Sequence, residues 1–312
     1  MKISYHASLH HMMTILIALL LFFPLLNIFD CAHGTQTDRA TTDTTNPGTY
    51  EASPSAPRQS GSGSQDPQSD PYTGVWLGPD GNALPFTNYD EICDFLRTAK
   101  VVRVSDLSTG ITKPKKLLLE KEGVQLHAIF HYEHYVSKRE KLKGGQIVLY
   151  FRDSYINQVA AYKMSRLLGI TNVAPTVMRE VNGKKGSVQM WIENAMNERD
   201  RMEKKLYPPN RSIIELYAHD MRVFDNLINN IDRNFTNILY DSNWRLWFID
   251  HTRAFGRNSK LPNKERLRRC SGSLWKKFQS LDDRLVEETL KPYMGRVEIS
   301  RLLSRRDKII KL

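Results

Sequence analysis

Between Phe224 and Phe255 the chain reads FDNLINNIDRNFTNILYDSNWRLWFIDHTRAF, and three oxygen-bearing side chains in it stand at a spacing that suits phosphoryl transfer. Asp232 lies in a polar loop, Asn237 follows closely, and Asp250 ends an apolar run. Transfer from a nucleotide needs one carboxylate to take or orient a hydroxyl proton. A second carboxylate and an amide oxygen must hold the magnesium that bridges the phosphates. A single Asp or Asn in a loop is usually a turn former or a cap. The full set is harder to explain that way, because WRLWFID ends on a carboxylate amid heavy apolar burial, where a charge needs a partner.

The elements around these residues must bring them together. Residues 212–229 predict a helix with Ile213, Leu216, Tyr217, Phe224, Leu227 and Ile228 on one face and Ser212 as N-cap. It delivers the chain into the loop Asn229–Thr236. Asn237–Tyr240 and Trp244–Asp250 then read as two short strands joined by the turn signal Asp241-Ser242-Asn243. The return strand carries Asp250 back past Asn237, so both candidate metal ligands stand at the open end of a ribbon near Asp232. Upstream, DSYINQVAAYKMSRLLGITNVAPTVMR (Asp153 to Arg179) repeats Ile156, Val159, Ala160, Met164, Leu167 and Leu168 at helical spacing, with Gly169 as a natural C′ residue.

Together the two blocks resemble the atypical secretory-pathway kinases of the Golgi casein kinase and four-jointed type, and more remotely the HipA and phosphatidylinositol kinases. The resemblance covers roughly residues 95 to 312. It implies a two-lobed α+β fold, with a mainly β N-lobe (76–195) and a mainly α C-lobe (196–312). On it, Asp232-Arg233-Asn234 takes the place of an Asp-Arg-His catalytic loop, with Asn234 for the His. Asn237 takes the place of the metal-binding amide, and Asp250 with Phe255-Gly256 that of the metal-binding Asp and aromatic-Gly. Asp232 is then the catalytic base, Arg233 steadies the loop or phosphate charge, and the cofactors are ATP with Mg2+ or Mn2+.

The sequence departs from that pattern in one pair. Where the family has a nucleotide-binding Lys on a strand and a Glu on the following helix, this chain has His131 and Gln158. A Lys–Glu pair fixes phosphates by charge, whereas His and Gln make neutral contacts at pH 7. A cation from elsewhere is then expected: Lys113, or Lys141 or Lys143. Activity as a kinase is the first reading, and a nucleotide-binding pseudokinase with a regulatory or scaffolding role is the second.

The remaining segments are simpler. A helix is expected at Tyr89–Thr98, strands at Lys116–Glu120 and Gln125–Phe130, and a phosphate-covering turn at Lys121-Glu122-Gly123. Strands Thr176–Val181 and Ser187–Ile192 turn at Asn182-Gly183. Glu193-Asn194 follows as the connection between lobes, where Glu193 would help grip the adenine ring. Met12–Phe29 is almost wholly apolar, so residues 1–34 read as a cleaved signal peptide or an uncleaved anchor. Residues 35–75, rich in Thr, Ser, Pro, Gly and Gln, read as a disordered tether. An exported chain follows, secreted, periplasmic or membrane-anchored. Cys31, Cys93 and Cys270 are too few for a disulfide framework; one Cys93–Cys270 bridge and two isolated thiols both stay open. The net charge of +11 comes without a nucleic-acid motif, so nucleic acid is not an expected partner. The charge suits acidic hydroxyl-bearing acceptors or lipid headgroups instead.

Overall fold

The computed structural model describes residues 76–107, 113–142 and 144–312. The N-terminal apolar stretch, the Thr/Ser/Pro/Gly-rich segment and Lys143 lie outside these residues. No helix among the described residues is long and apolar enough to cross a membrane.

The first half is built on a sheet. Helix α1 (Tyr89–Thr98) starts at Asn88, whose carboxamide oxygen accepts from the Asp90 and Glu91 amides. Strands β1 (Lys100–Asp106), β2 (Lys115–Lys121) and β3 (Val124–His131) then form an antiparallel meander. A two-stranded ribbon follows, β4 (His134–Lys141) and β5 (Ile147–Ser154), which the sequence reading did not anticipate. Helix α2 (Tyr155–Leu167) begins at Ser154 and ends in a Schellman turn: Gly169 has φ 66°, its amide donates to Arg166, and the Ile170 amide donates to Ser165. β6 (Thr176–Val181) and β7 (Lys184–Met190) close the hairpin at Asn182-Gly183, both at positive φ as its tight turn requires. The five-stranded order is β1-β2-β3-β7-β6. Leu117, Leu119, Leu126, Ala128, Phe130, Val188 and Met190 enter one core with Ile92 and Leu96 of α1 and Ala160 and Met164 of α2.

The second half is mainly helical. β8 (Met196–Asn197) leads into α3 (Glu198–Glu203) and α4 (Arg211–Ile228). β9 (Ile238–Tyr240) and β10 (Leu246–Phe248) join β8 in the order β10-β9-β8. α5 (Gly272–Gln279), α6 (Asp283–Leu290) and α7 (Arg296–Ile310) complete it. The cap of α4 is Asn210 rather than Ser212, with its side-chain oxygen on the Ile213 amide. Its buried stripe also differs from expectation. Ile213 and Leu216 are exposed, and Ile214, Ala218 and Met221 face inward, a step of four then three residues that fits the helical period. From Val223 to Ile228 every α4 residue is buried. Cys93 and Cys270 are free thiols, so the bridge does not form.

An architecture of this kind, β-rich before α4 and helical from it onward, is the two-lobed α+β class expected.

Candidate active site

The loop after α4 is held by a buried ion pair. Asn229 adopts the left-handed conformation (φ 55°), which turns the chain out of the helix, and the Asn230 amides bond back to Asp225. Arg233 then grips Asp225 with two nitrogens, at 2.8 and 2.9 Å. Its remaining reach goes to the Asn237 carbonyl (2.5 Å), the Ile249 carbonyl (2.7 Å) and His251 Nε2 (3.0 Å). Of the two roles expected for Arg233, the geometry therefore supports the loop: all three guanidinium nitrogens are engaged inside the protein. Arg233→Ala leaves the buried Asp225 carboxylate unpaired, so we expect a stability loss of roughly 3–5 kcal/mol. Thermal unfolding of the variant, with a double-mutant cycle through Asp225→Ala, measures it; an unchanged midpoint would contradict the clamp.

Asp232 and Asn237 are fixed by one carbonyl. The Asn234 and Asn237 side-chain amides both donate to the Asp232 backbone oxygen, each at 3.0 Å. That contact spends the Asn237 nitrogen and leaves its amide oxygen for another task. Across the hairpin, Tyr240 faces Leu246 and Ile238 faces Phe248, and the Ile249 amide donates to the Asn237 carbonyl at 3.3 Å. Asn237 and Asp250 thus flank the open end of the β9–β10 ribbon, as the sequence predicts. Asp250 sits at φ 55°, and its Oδ1 accepts from the Thr252 hydroxyl at 2.9 Å.

Asp232 has a partner that motif reading missed. Arg253 donates through Nε to Asp153 (2.7 Å) and through Nη1 to Asp232 (3.1 Å). Burial pushes the Asp232 carboxyl above the usual carboxylate range; Arg253 opposes this, while Asp250 and Asp153 add to it. Three carboxylates and two arginines, Arg253 and Arg233, therefore share one electrostatic neighbourhood. The sequence gives little warning of Arg253, which follows Asp250 by three residues without a motif of its own, and Asp153 reads as a helix-start residue.

His131 ends β3 and is buried. Burial holds its imidazole below the usual range, and the charges of Asp250 and Asp153 act against that. Gln158 is buried in α2, and its Oε1 accepts the His251 amide at 2.9 Å. No hydrogen bond joins His131 to Gln158. The neighbouring Asn157 donates to the Thr252 and Ala254 carbonyls, at 2.6 and 3.0 Å. Helix α2 is thus tied to the segment that carries Asp250.

Four buried polar atoms here lack a partner among the described residues: Asn157 Oδ1, Gln158 Nε2, His251 Nδ1, and Oγ of Ser187, which lies opposite His131 in the β3–β7 register. Each unpaired group of this kind costs about 1–3 kcal/mol, and three of the four stand where α2 is tied to the segment that carries Asp250. No cluster of three or more His, Cys, Asp or Glu side chains is placed to hold a metal among the described residues. Asn237 and Asp250 supply two oxygens, which suits a cation whose other ligands are phosphates and water.

The sheet register decides among the other candidates. Lys115 pairs with Phe130 and Lys121 with Val124, so the Glu122-Gly123 turn lies about 20 Å from the His131 end of the sheet. The length of β3 thus separates this turn from His131, the expected phosphate-side residue. The β1–β2 connection leaves the sheet at the His131 end instead; it includes Lys113, exposed at φ 46°, whose carbonyl accepts from the Tyr132 hydroxyl at 3.5 Å. Lys141 is opposite Ile147 at the far end of the β4–β5 ribbon, away from the site. Lys116 was overlooked. Register puts it on the same face of the sheet as Ile129, His127 and His131, with Nζ 4.4 Å from the Trp191 ring and no carboxylate partner among the described residues. Glu193 follows β7 and bonds His127 at 2.7 Å, with both side chains largely buried.

Neither a family model nor a curated protein sequence matches the chain. Solved structures do. A crystal structure of the Golgi casein kinase superposes with a TM-score of 0.54 at 16% identity, covering 72% of this chain and 75% of that one. The structure of hydra Fam20 with sugar gives 0.54 at 15% identity, over 72% and 88%. The Golgi casein kinase with Mn/ADP bound gives 0.53 at 15% identity, over 72% and 76%. The chain has an atypical kinase-like fold. At this identity the likeness concerns the fold; the roles of Asp232, Asn237 and Asp250 rest on their own geometry.

Proposed function

We propose that this chain is an exported kinase that transfers the γ-phosphoryl group of ATP to a hydroxyl of a protein, sugar or lipid acceptor. The observation that carries the reading is the convergence of Asp232, Asn237 and Asp250 on one loop-and-hairpin unit within a kinase-like fold. Asn237 Oδ1 and the Asp250 carboxylate would hold Mg2+ or Mn2+, which when bound neutralises phosphate charge. Asp232 accepts the acceptor's hydroxyl proton as that oxygen bonds to the γ-phosphorus. The bond from phosphorus to the β–γ bridging oxygen breaks, and ADP leaves with its electron pair. Arg253 holds Asp232 in place and opposes the upward shift that burial imposes on its carboxyl.

The phosphate anchor is assigned to Lys116. Burial of His131 disfavours its charged form, and Lys116 is a cation on the same sheet face whose Nζ lies over an aromatic ring. Lys116→Met should weaken ATP binding by about tenfold or more, since a charged hydrogen bond contributes roughly 1.5–3 kcal/mol, and should leave adenosine binding unchanged. Calorimetric titration with both ligands tests this. Equal ATP affinity in variant and parent would move the anchor to Lys113. The pair His131 and Gln158 motivates the second reading, a pseudokinase that binds nucleotide as a regulatory partner. Metal-dependent formation of ADP by the purified chain separates the two.

A further inference from the structure

The β4–β5 ribbon is unlike the rest of the surface. Tyr135 (51% exposed), Val136 (58%), Leu149 (61%) and Tyr150 (54%) all stand in it, together with exposed Ile147. Among the described strands neither pairs with any other, and beyond the Ser154 amide, which donates to the Thr252 carbonyl, their outer edges carry no ladder. Register places Tyr135, Ile147 and Leu149 at positions of one parity and Val136 at the other, so exposed apolar groups stand on both faces, while Tyr150, at φ 53°, has the Arg257 guanidinium 4.7 Å from its ring. Cations stand among them: Lys138, Arg139 and Lys141 in β4, against Glu140, while Arg152 and Asp153 of β5 lie at the ribbon's base, where Arg152 donates to Met294. Asp153 is already committed to Arg253, and Glu140 accepts from the Tyr135 hydroxyl. The outer part of the ribbon is therefore apolar and positive.

We propose that the outer part of this ribbon docks into the interface of an anionic lipid bilayer. Apolar area of this extent on an exposed element marks an interaction site, and its geometry selects the occupant. A protein seated on one face would leave the other face's apolar groups in water. A ribbon entering headgroups from its tip covers both faces at once. Tyrosine suits that depth, with an apolar ring and a polar end, and Lys138, Arg139 and Lys141 can reach lipid phosphates from apolar stems. A second copy of the chain would bring a positive ribbon against a positive ribbon, which charge disfavours. The proposal is independent of the kinase reading.

The test uses the full chain and sedimentation with vesicles of phosphatidylcholine, alone or mixed with phosphatidylserine. Because Met12–Phe29 is itself apolar, the readout is the preference for anionic over neutral vesicles, with peptide-resolved hydrogen exchange to locate the contact. Lys138→Gln with Arg139→Gln and Lys141→Gln should reduce that preference about a hundredfold, at about fivefold per cation. Ile147→Ser with Leu149→Ser should weaken binding to both vesicle types. Both variants should keep the parent's unfolding temperature, and residues 134–154 should exchange more slowly on anionic vesicles. Unchanged binding in both variants, or slowed exchange confined to N-terminal peptides, would overturn the proposal. So would protection of the ribbon that needs no vesicles and grows with protein concentration, or that follows poly-glutamate but not lipid.

Discussion

Asp232→Asn is expected to lose phosphotransfer by a factor of about 10² to 10⁴ while metal-dependent ATP binding is retained, because a positioned acid–base group contributes on that scale. The substitution is nearly isosteric, and the backbone carbonyl of residue 232, which anchors Asn234 and Asn237, is untouched. The pH dependence should carry the same signature. Burial raises the Asp232 pKa first, and Arg253 then lowers it, so activity should rise with pH through a value above the usual carboxylate range. Arg253→Gln removes the lowering cation and should move that limb to higher pH. Stability follows the opposite sense. A carboxyl whose folded pKa is raised gives stability that is full below its unfolded pKa and lost as pH rises through the folded one. Asp232→Asn should therefore unfold at the same or a higher temperature near pH 7. Equal turnover in variant and parent would remove Asp232 from the mechanism, and a limb unmoved in Arg253→Gln would remove Arg253 as its modulator.

Asp250→Asn should abolish the metal-dependent part of nucleotide binding, an effect larger than the roughly 10- to 100-fold seen when a group outside the first ligand layer is lost. Asn is the informative replacement here. Position 250 lies at φ 55°, which Asn tolerates and Ala resists, and Asn keeps an oxygen for the Thr252 hydroxyl. The variant thus removes a charge and little else. Titration of ATP with Mg2+, with Mn2+ and with chelator separates the metal-dependent increment from the rest. Retention of that increment in a folded Asp250→Asn protein would mean that the cation is held by other groups.

Local signals carried much of this. The period of residues 153–169, its glycine and Asn182-Gly183 each dictate a backbone geometry on their own, and the structure has a helix, a Schellman turn and a tight hairpin at those places. The β9–β10 hairpin was legible because an apolar strand ending in Asp250 can return only past Asn237. The misses all required non-local information. Which end of the sheet the Glu122-Gly123 turn occupies depends on the β2–β3 register, and the face shared by Lys116 and His131 depends on the same pairing. The inward stripe of α4 differs by one position because Ile213, Ile214 and Leu216 are all apolar and the period alone does not choose among them. The β4–β5 ribbon was hidden by its composition. KREKLKGG reads as a solvated loop, and exposed apolar residues on both faces break the alternation that marks a half-buried strand. Arg253 illustrates the general case: an ion pair between residues 100 positions apart in the chain, Asp153 and Arg253, leaves no mark in either local pattern.

The most direct measurement is a calorimetric titration of the purified chain with ATP in the presence of Mn2+ or Mg2+, followed by assay of ADP formation in the same samples. The account predicts saturable binding that disappears with chelator and in Asp250→Asn, and ADP formation that disappears in Asp232→Asn. A folded protein that binds no ATP with either metal would contradict it.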